Sequence, residues 1–185
     1  MNDDLALIDP LTGLHNRRAM DRLAEHEFRR RDRYGLKPLA LGLIDVDHLK
    51  EINRLHFLPA GDRVLVDLAK ILAGSVRTVD HLGRNGGDRF LVIAPETNLQ
   101  GAQVLGERLR ANIERHIFTH KGQTIPVRVS IGFAVVEEGV VSELERMKPI
   151  AAAALAEAKR GGRNRCVASH RQDPSSQPQF TADDF

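Results

Sequence analysis

The chain has 185 residues, 42% hydrophobic and 28% charged, with a formal net charge of +2, a composition suited to one globular domain with a full core. A 4% aromatic share argues against a surface of exposed rings for stacking sugars or single strands, and the small net charge gives no footprint for nucleic acid. No apolar run approaches the ~20 residues that span a bilayer, and the single Cys166 allows no intrachain disulfide, which fits a reducing, cytoplasmic setting.

In chain order, Leu5 to Asn16 reads as an entry segment containing the turn Asp9-Pro10-Leu11-Thr12-Gly13, where Pro and Gly interrupt regular structure. A helix follows over Arg17 to Arg33, with Gly35 as its C-terminal cap. The apolar run Pro38 to Val46 predicts a strand buried on both faces. A short helix from His48 to Arg54, a loop through Pro59 and an amphipathic helix from Gly61 to Thr78 come next. His81 to Arg84 and Arg89 to Ala94 flank the turn Asn85-Gly86-Gly87-Asp88 and predict a β-hairpin. Asn98 to His116 reads as a helix and Ile125 to Val136 as a β-rich stretch. Two helices, Ser142 to Lys148 and Ile150 to Arg160, are expected on either side of Pro149. A last strand runs from Arg163 to Ala168, and the Pro-, Ser- and Gln-rich residues 169–185 read as a flexible tail. Residues 1–168 are thus expected to form one α/β or α+β domain: a central sheet, helices packed on it, and one projecting hairpin.

Three constellations could carry chemistry. Asp45 and Asp47 end a buried strand, where open α/β sheets bind ligands; the pair could hold a metal or cap the next helix. Asp88 lies on the hairpin turn, where Gly86 and Gly87 would let backbone approach a nucleotide; with Asp45 it could make a Mg²⁺ site, or it is a solvated turn residue. Lys159 and Arg163 flank Gly161-Gly162 at a helix end, either gripping phosphates or complementing the helix dipole.

Taken together, these residues resemble the GGDEF domain family, the diguanylate cyclases, over roughly Asp9 to Val167. Asp9-Pro10-Leu11-Thr12-Gly13-Leu14-His15-Asn16-Arg17-Arg18 is similar to the entry motif D-x-L-T-G-L-x-N-R-R. Asp45-Val46-Asp47-His48-Leu49-Lys50-Glu51-Ile52-Asn53 is similar to D-x-D-x-F-K-x-x-N, and Arg84-Asn85-Gly86-Gly87-Asp88-Arg89-Phe90 to R-x-G-G-D-E-F. Ser130-Ile131-Gly132 resembles the S-I-G strand, and Ala158-Lys159-Arg160-Gly161-Gly162-Arg163-Asn164 the terminal A-K-x-x-G-R-N. The resemblance implies a mixed, mainly antiparallel sheet surrounded by helices. It implies condensation of two GTP molecules, one on each of two facing domains, to cyclic di-GMP, with Mg²⁺ neutralising phosphate charge. Carried over by motif position, Asp45 and the Val46 carbonyl would bind metal, with Asp88 as a further ligand or base. Asn53 and Asp62 would hydrogen-bond guanine, and Lys159 and Arg163 would hold the β- and γ-phosphates.

Two departures stand out. Arg89 replaces the signature glutamate; a cation ~5 Å from a divalent ion costs about 6 to 7 kcal/mol at an effective dielectric near 20, and a loss of ~4 kcal/mol already slows a reaction about a thousandfold. In the guanine loop, where N-D-x-x-G-H-x-x-G-D is expected, Asn53, Gly61 and Asp62 are kept, but Arg54, Phe57 and Leu58 stand in place of Asp, Gly and His. By contrast, Arg77-Thr78-Val79-Asp80 resembles the inhibitory R-x-x-D site that many cyclases carry ahead of the signature, and Arg108 on the next helix would supply a second cation. The expected function is a catalytically degenerate domain that binds cyclic di-GMP through Arg77, Asp80 and Arg108 and signals to a protein partner or a second copy. An active or weakly active cyclase binding GTP with Mg²⁺ is the alternative; a dimerisation or scaffold module binding neither nucleotide is a third.

Overall fold

The computed structural model describes residues 7–56, 58–140 and 142–170. The expected flexibility of the tail beyond 170 and the bulk of Phe57 lie outside the described residues. The strands are β1 (His15–Asn16), β2 (Leu39–Val46), β3 (His81–Gly86), β4 (Arg89–Pro95), β5 (Phe118–His120), β6 (Gln123–Ile125), β7 (Val129–Val136) and β8 (Cys166–Ser169). The helices are α1 (Arg17–Arg33), α2 (Leu49–His56), α3 (Leu58–Ala73), α4 (Leu99–Arg115) and α5 (Leu144–Arg160). Six strands form one sheet in the order β1-β3-β4-β2-β7-β8. The four inner strands pair antiparallel, and the edge strands β1 and β8 add in parallel. The fold is therefore the expected mixed, mainly antiparallel sheet surrounded by helices.

Helices cover both faces of the sheet. Alternate residues of β2 explain how: Ala40 and Ile44 join α2, α3 and α4 in one core, while Leu39, Leu41 and Leu43 join α1 and α5 in the other. A strand sandwiched this way is apolar on both faces, and all eight residues of β2 are buried, as are all eight of β7. Asn16 caps α1, its side-chain oxygen accepting from the Ala19 N–H at 3.0 Å, and Asn98 caps α4 in the same way at Gly101.

Several boundaries differ from the sequence reading. The two helices expected around Pro149 are a single helix, α5. Proline there forfeits one early backbone hydrogen bond, whereas the apolar stripe Met147, Ala151, Ala152 and Leu155 packs on the sheet across the interruption. The loop expected through Pro59 is already helix α3; Pro59 sits in its first turn, where the missing N–H would have no intrahelical partner. That helix ends at Ala73 rather than Thr78, releasing Arg77 and Asp80 into the connection to β3. The small β5–β6 hairpin has no signature in the sequence, because three-residue strands are too short to show alternation; its turn places Lys121 and Gly122 at φ 50° and 78°. The tail was expected from residue 169, but β8 runs through Ser169. Among the described residues, no helix is long and apolar enough to cross a membrane.

The entry turn is tied to the hairpin. Asp9 Oδ1 accepts from the Thr12 N–H at 2.9 Å and the Thr12 hydroxyl at 2.7 Å, and the Arg84 guanidinium lies 3.3 Å from both Asp9 oxygens. Burial alone would raise the Asp9 carboxyl, but the Thr12 hydrogen bonds and Arg84 outweigh it and hold it below the ordinary carboxylate value. The depressed value stabilises the fold above the unfolded-state pKa near 3.8 and loses that contribution as pH falls through the folded value. Asp9→Asn should therefore cost about 1 kcal/mol at pH 7, with the gap closing in acid as the folded-state carboxyl is protonated; urea unfolding of both proteins at pH 7 and in acid measures it.

Candidate functional site

The signature hairpin is built by β3 and β4. Gly86 pairs with Arg89 after a register shift at Arg84, so the turn is reached through Gly86 and Gly87 at φ 104° and 52°, backbone that side chains strain to adopt. Arg84 clamps this turn, donating to the Gly87 carbonyl at 2.7 and 3.0 Å. The hairpin lies beside the end of β2: the Val46 N–H donates to the Asp88 carbonyl at 3.2 Å, and Asp45 and Arg89 are directly opposed across the strands. Directly opposed side chains on one face of a sheet interact.

Asp45, Val46, Asp88, Lys159 and Arg163, far apart in sequence, line one cleft of about 520 Å³ together with Arg89. Asp45 is buried, with one oxygen 2.7 Å from Lys159 Nζ and the other 3.3 Å from Arg89 Nε. Burial pushes the Asp45 carboxyl above its ordinary value; the Lys159 hydrogen bond and charge oppose this, Asp88 adds to it, and Arg89 opposes it again. Asp47 is also buried but does not face this cation cluster alone: it accepts from the Ser130 hydroxyl at 2.7 Å and the Asn164 N–H at 3.1 Å. It thereby fixes the loop that presents Arg163. Gly161 and Gly162 carry the chain into this loop, and Arg163 and Asn164 both hold positive φ, at 63° and 45°.

This donor set does not fit a divalent cation as arranged. Both oxygens of Asp45, the central candidate ligand, already face cations, and among the described residues no group of three or more His, Cys, Asp or Glu side chains could hold a metal ion.

A second cleft, of about 260 Å³, is lined by Arg77 and Arg108 together with Glu96, Thr97 and Asn98. The Asp80 carboxylate, with no side-chain exposure, accepts from Arg77 Nη2 at 2.8 Å, from Nε at 3.2 Å and from the Arg77 backbone N–H at 2.8 Å. Arg77 Nη2 also donates to the Thr97 hydroxyl at 2.8 Å and the Pro95 carbonyl at 3.1 Å. The guanidinium is thus held in one plane while about half of the side chain stays exposed at 48%. The hydrogen bond to Asp80 raises the Arg77 pKa, burial opposing, so its charge is fixed at any accessible pH.

A sequence model of the family described as "Diguanylate cyclase, GGDEF domain" matches residues 6–165. The chain belongs to the GGDEF family. It is 41% identical over 162 residues to the diguanylate cyclase DgcP of Pseudomonas aeruginosa, covering 86% of this chain and 23% of that protein. It is 37% identical over 166 residues to the response regulator PleD of Caulobacter vibrioides, covering 89% and 36%. The chain therefore spans well under half the length of these two relatives. Among solved structures, the GGDEF domain of DgcB from Caulobacter crescentus in complex with c-di-GMP superposes with a TM-score of 0.82 at 28% identity, covering 88% of this chain and 95% of that one. The diguanylate cyclase SiaD of Pseudomonas aeruginosa, in complex with its activator SiaC, has a TM-score of 0.82 at 34% identity, covering 91% and 65%.

Asn53 and Asp62, assigned to guanine through the GGDEF resemblance, line neither cleft. Among the described residues, Asn53 Oδ1 is buried without a hydrogen-bond partner, and it packs on Gly61, where an added Cβ would lie 1.8 Å from that oxygen. Sequence reasoning gave no role to Ser130, Asn164 or Thr97. Ser130 and Asn164 stand inside GGDEF motifs, which was a usable signal; Thr97 stands in none.

Proposed function

We propose that this GGDEF domain is a receptor for cyclic di-GMP, binding it at the cleft lined by Arg77 and Arg108, with Asp80 orienting Arg77, and that its signature hairpin is catalytically degenerate. The observation that carries the reading is the pre-set fork of Arg77: a fully buried carboxylate holds a half-exposed guanidinium at the mouth of a cleft that also receives Arg108. A guanidinium held in plane through Nε and Nη2 can offer Nη1 to a phosphate or guanine oxygen at little ordering cost. The DgcB structure with c-di-GMP supports the ligand. Glu96, which also lines the cleft, is ion-paired to Arg30 at 3.3 Å, which reduces its repulsion of an anion. The SiaD structure, which holds its activator SiaC, supports a protein partner for the domain, with a second copy of this chain as the other candidate, in a cytoplasmic setting. Calorimetric titration of the full chain with cyclic di-GMP tests the reading: saturable binding that Arg108→Ala weakens is expected, and absence of binding overturns it.

A second reading, GTP binding or weak cyclase activity with Mg²⁺, is favoured by the gathering of Asp45, Asp88, Lys159 and Arg163 in one cleft. The Asn53 oxygen, buried without a donor among the described residues, adds to it, since such an acceptor suits completion by a ligand. Incubation with GTP and Mg²⁺ should yield no cyclic di-GMP; product would overturn the degenerate reading.

A further inference from the structure

We propose that the Arg89 guanidinium takes the place of a divalent cation, so that the cleft between β2, the hairpin and the end of α5 binds a polyphosphate chain directly, through Arg89, Lys159 and Arg163, without metal. This site is separate from the one at Arg77 and does not depend on it.

Charge balance is the first argument. Among the described residues, four carboxylates line the cleft, Asp45, Asp47, Glu51 and Asp88, with four cations, Lys50, Arg89, Lys159 and Arg163. This lining is balanced in the formal charges of its carboxylates, lysines and arginines. A carboxylate at position 89 would leave it two charges negative, which is the charge that one divalent cation cancels. Arginine at 89 removes the need for that ion and, at the same time, opposes its entry.

Geometry is the second. Position 89 is fixed opposite Asp45 by strand register, and Arg89 Nε lies 3.3 Å from Asp45 Oδ2. Lys159 takes the other oxygen. Asp45 thus anchors two cations at the cleft as a metal ligand anchors an ion. Guanidinium binds phosphate oxygens in a planar fork, as a metal does by coordination, and keeps its charge at any accessible pH. Arg163 is delivered from a loop pinned through Asn164 to Asp47, a cost in backbone conformation at two consecutive residues of the kind found at ligand clamps. The ligand class is a polyphosphate, free or as part of a nucleotide.

The test uses inorganic tripolyphosphate, titrated calorimetrically into the full chain in EDTA and in Mg²⁺. Binding in EDTA is expected, unchanged or weakened by Mg²⁺, which competes for the anion. Arg163→Ala should weaken it about tenfold or more, whereas Arg77→Ala should leave it unchanged. Arg89→Glu should lose binding in EDTA and gain binding of Mn²⁺, read by electron paramagnetic resonance, that the parent protein lacks. Arg89→Gln, which removes the charge without reversing it, should also lose binding in EDTA and serves if Arg89→Glu does not fold. GTP binding much tighter than tripolyphosphate supports a nucleotide as the source of the chain, and equal affinity supports a free polyphosphate. The proposal is overturned if tripolyphosphate binds only with Mg²⁺ or not at all, if the parent holds Mn²⁺ as well as Arg89→Glu does, or if Arg77→Ala abolishes binding.

Discussion

Arg77→Ala should weaken cyclic di-GMP binding by at least about thirtyfold, because truncating a buried, hydrogen-bonded charged contact costs about 2 to 5 kcal/mol. Arg77→Lys should recover only part of the loss: it restores the charge but not the fork that Asp80, Thr97 and Pro95 hold in plane. The same truncation also disturbs the free protein. It leaves the Asp80 carboxylate, wholly buried, with the backbone N–H of residue 77 as a remaining donor. Since Arg77 itself is about half exposed, water can re-solvate part of the pair, and the stability cost should be about 1 to 3 kcal/mol rather than the larger penalty of a fully enclosed pair. Arg108→Ala separates the two effects. Arg108 is exposed on α4, so its loss should weaken binding while leaving the melting temperature nearly unchanged. If cyclic di-GMP binds Arg77→Ala as tightly as the parent, the assignment of the ligand to this cleft is lost.

Gly132→Ala should produce the largest loss of stability. A Cβ at this position would lie 2.1 Å from Leu155 N, 2.5 Å from the Ala151 carbonyl oxygen and 2.6 Å from Leu155 Cα. These are backbone atoms of α5, which cannot rotate away as a side chain can. One methyl group would force the helix off β7, a strand buried throughout, where α5 packs the face that carries Met147, Ala151, Ala152 and Leu155. Overpacking of this kind costs about 3 kcal/mol or more, and at about 2 to 4 °C per kcal/mol for a chain of this size the melting temperature should fall by about 6 to 12 °C. The displacement has a local consequence. Lys159 sits near the end of α5 and reaches Asp45, so tripolyphosphate binding should suffer even in the folded variant. The Arg77 cleft, built from α4 and the ends of β2 and β4 on the other side of the sheet, should keep its ligand. Thermal unfolding followed by circular dichroism, together with the two titrations below the new midpoint, measures both; a midpoint within about 2 °C of the parent would mean that α5 accommodates the methyl group.

Gly132 shows what a motif holds before its reason is visible. The triplet Ser130-Ile131-Gly132 is recognisable in the sequence, but its three residues serve different contacts. Ser130 holds Asp47, Ile131 fills the core under α3 and α4, and Gly132 admits the backbone of α5. The same holds for Arg84, which is readable as part of the hairpin signature and turns out to clamp the Gly87 carbonyl and bind Asp9. Pro149 is the opposite case. A local rule divides the helix there, and the contacts of Met147, Ala151 and Leu155 across the sheet override it. Helix propensity and proline penalties are local quantities of a few kcal/mol at most; burial of an apolar stripe competes with them and is decided only when the sheet is in place.

The family, the class of fold, the burial of the strand over Pro38 to Val46 on both faces, the hairpin with its glycine turn and the arginine in place of a carboxylate at position 89 were legible along the chain. Each of these depends on residue type and spacing along the chain. Contacts between distant segments set the rest: Arg89 faces Asp45 rather than solvent, Lys159 takes the other oxygen of the same carboxylate, and Arg77 and Arg108 open on one cleft, while Asn53 and Asp62 line neither that cleft nor the one at Asp45. The physical reason is register: shifting β4 by one residue against β2 would turn Arg89 to the opposite face of the sheet, and what fixes it is the packing of Leu91 and Ile93 beneath α1 and α5, a contact between segments that the sequence separates.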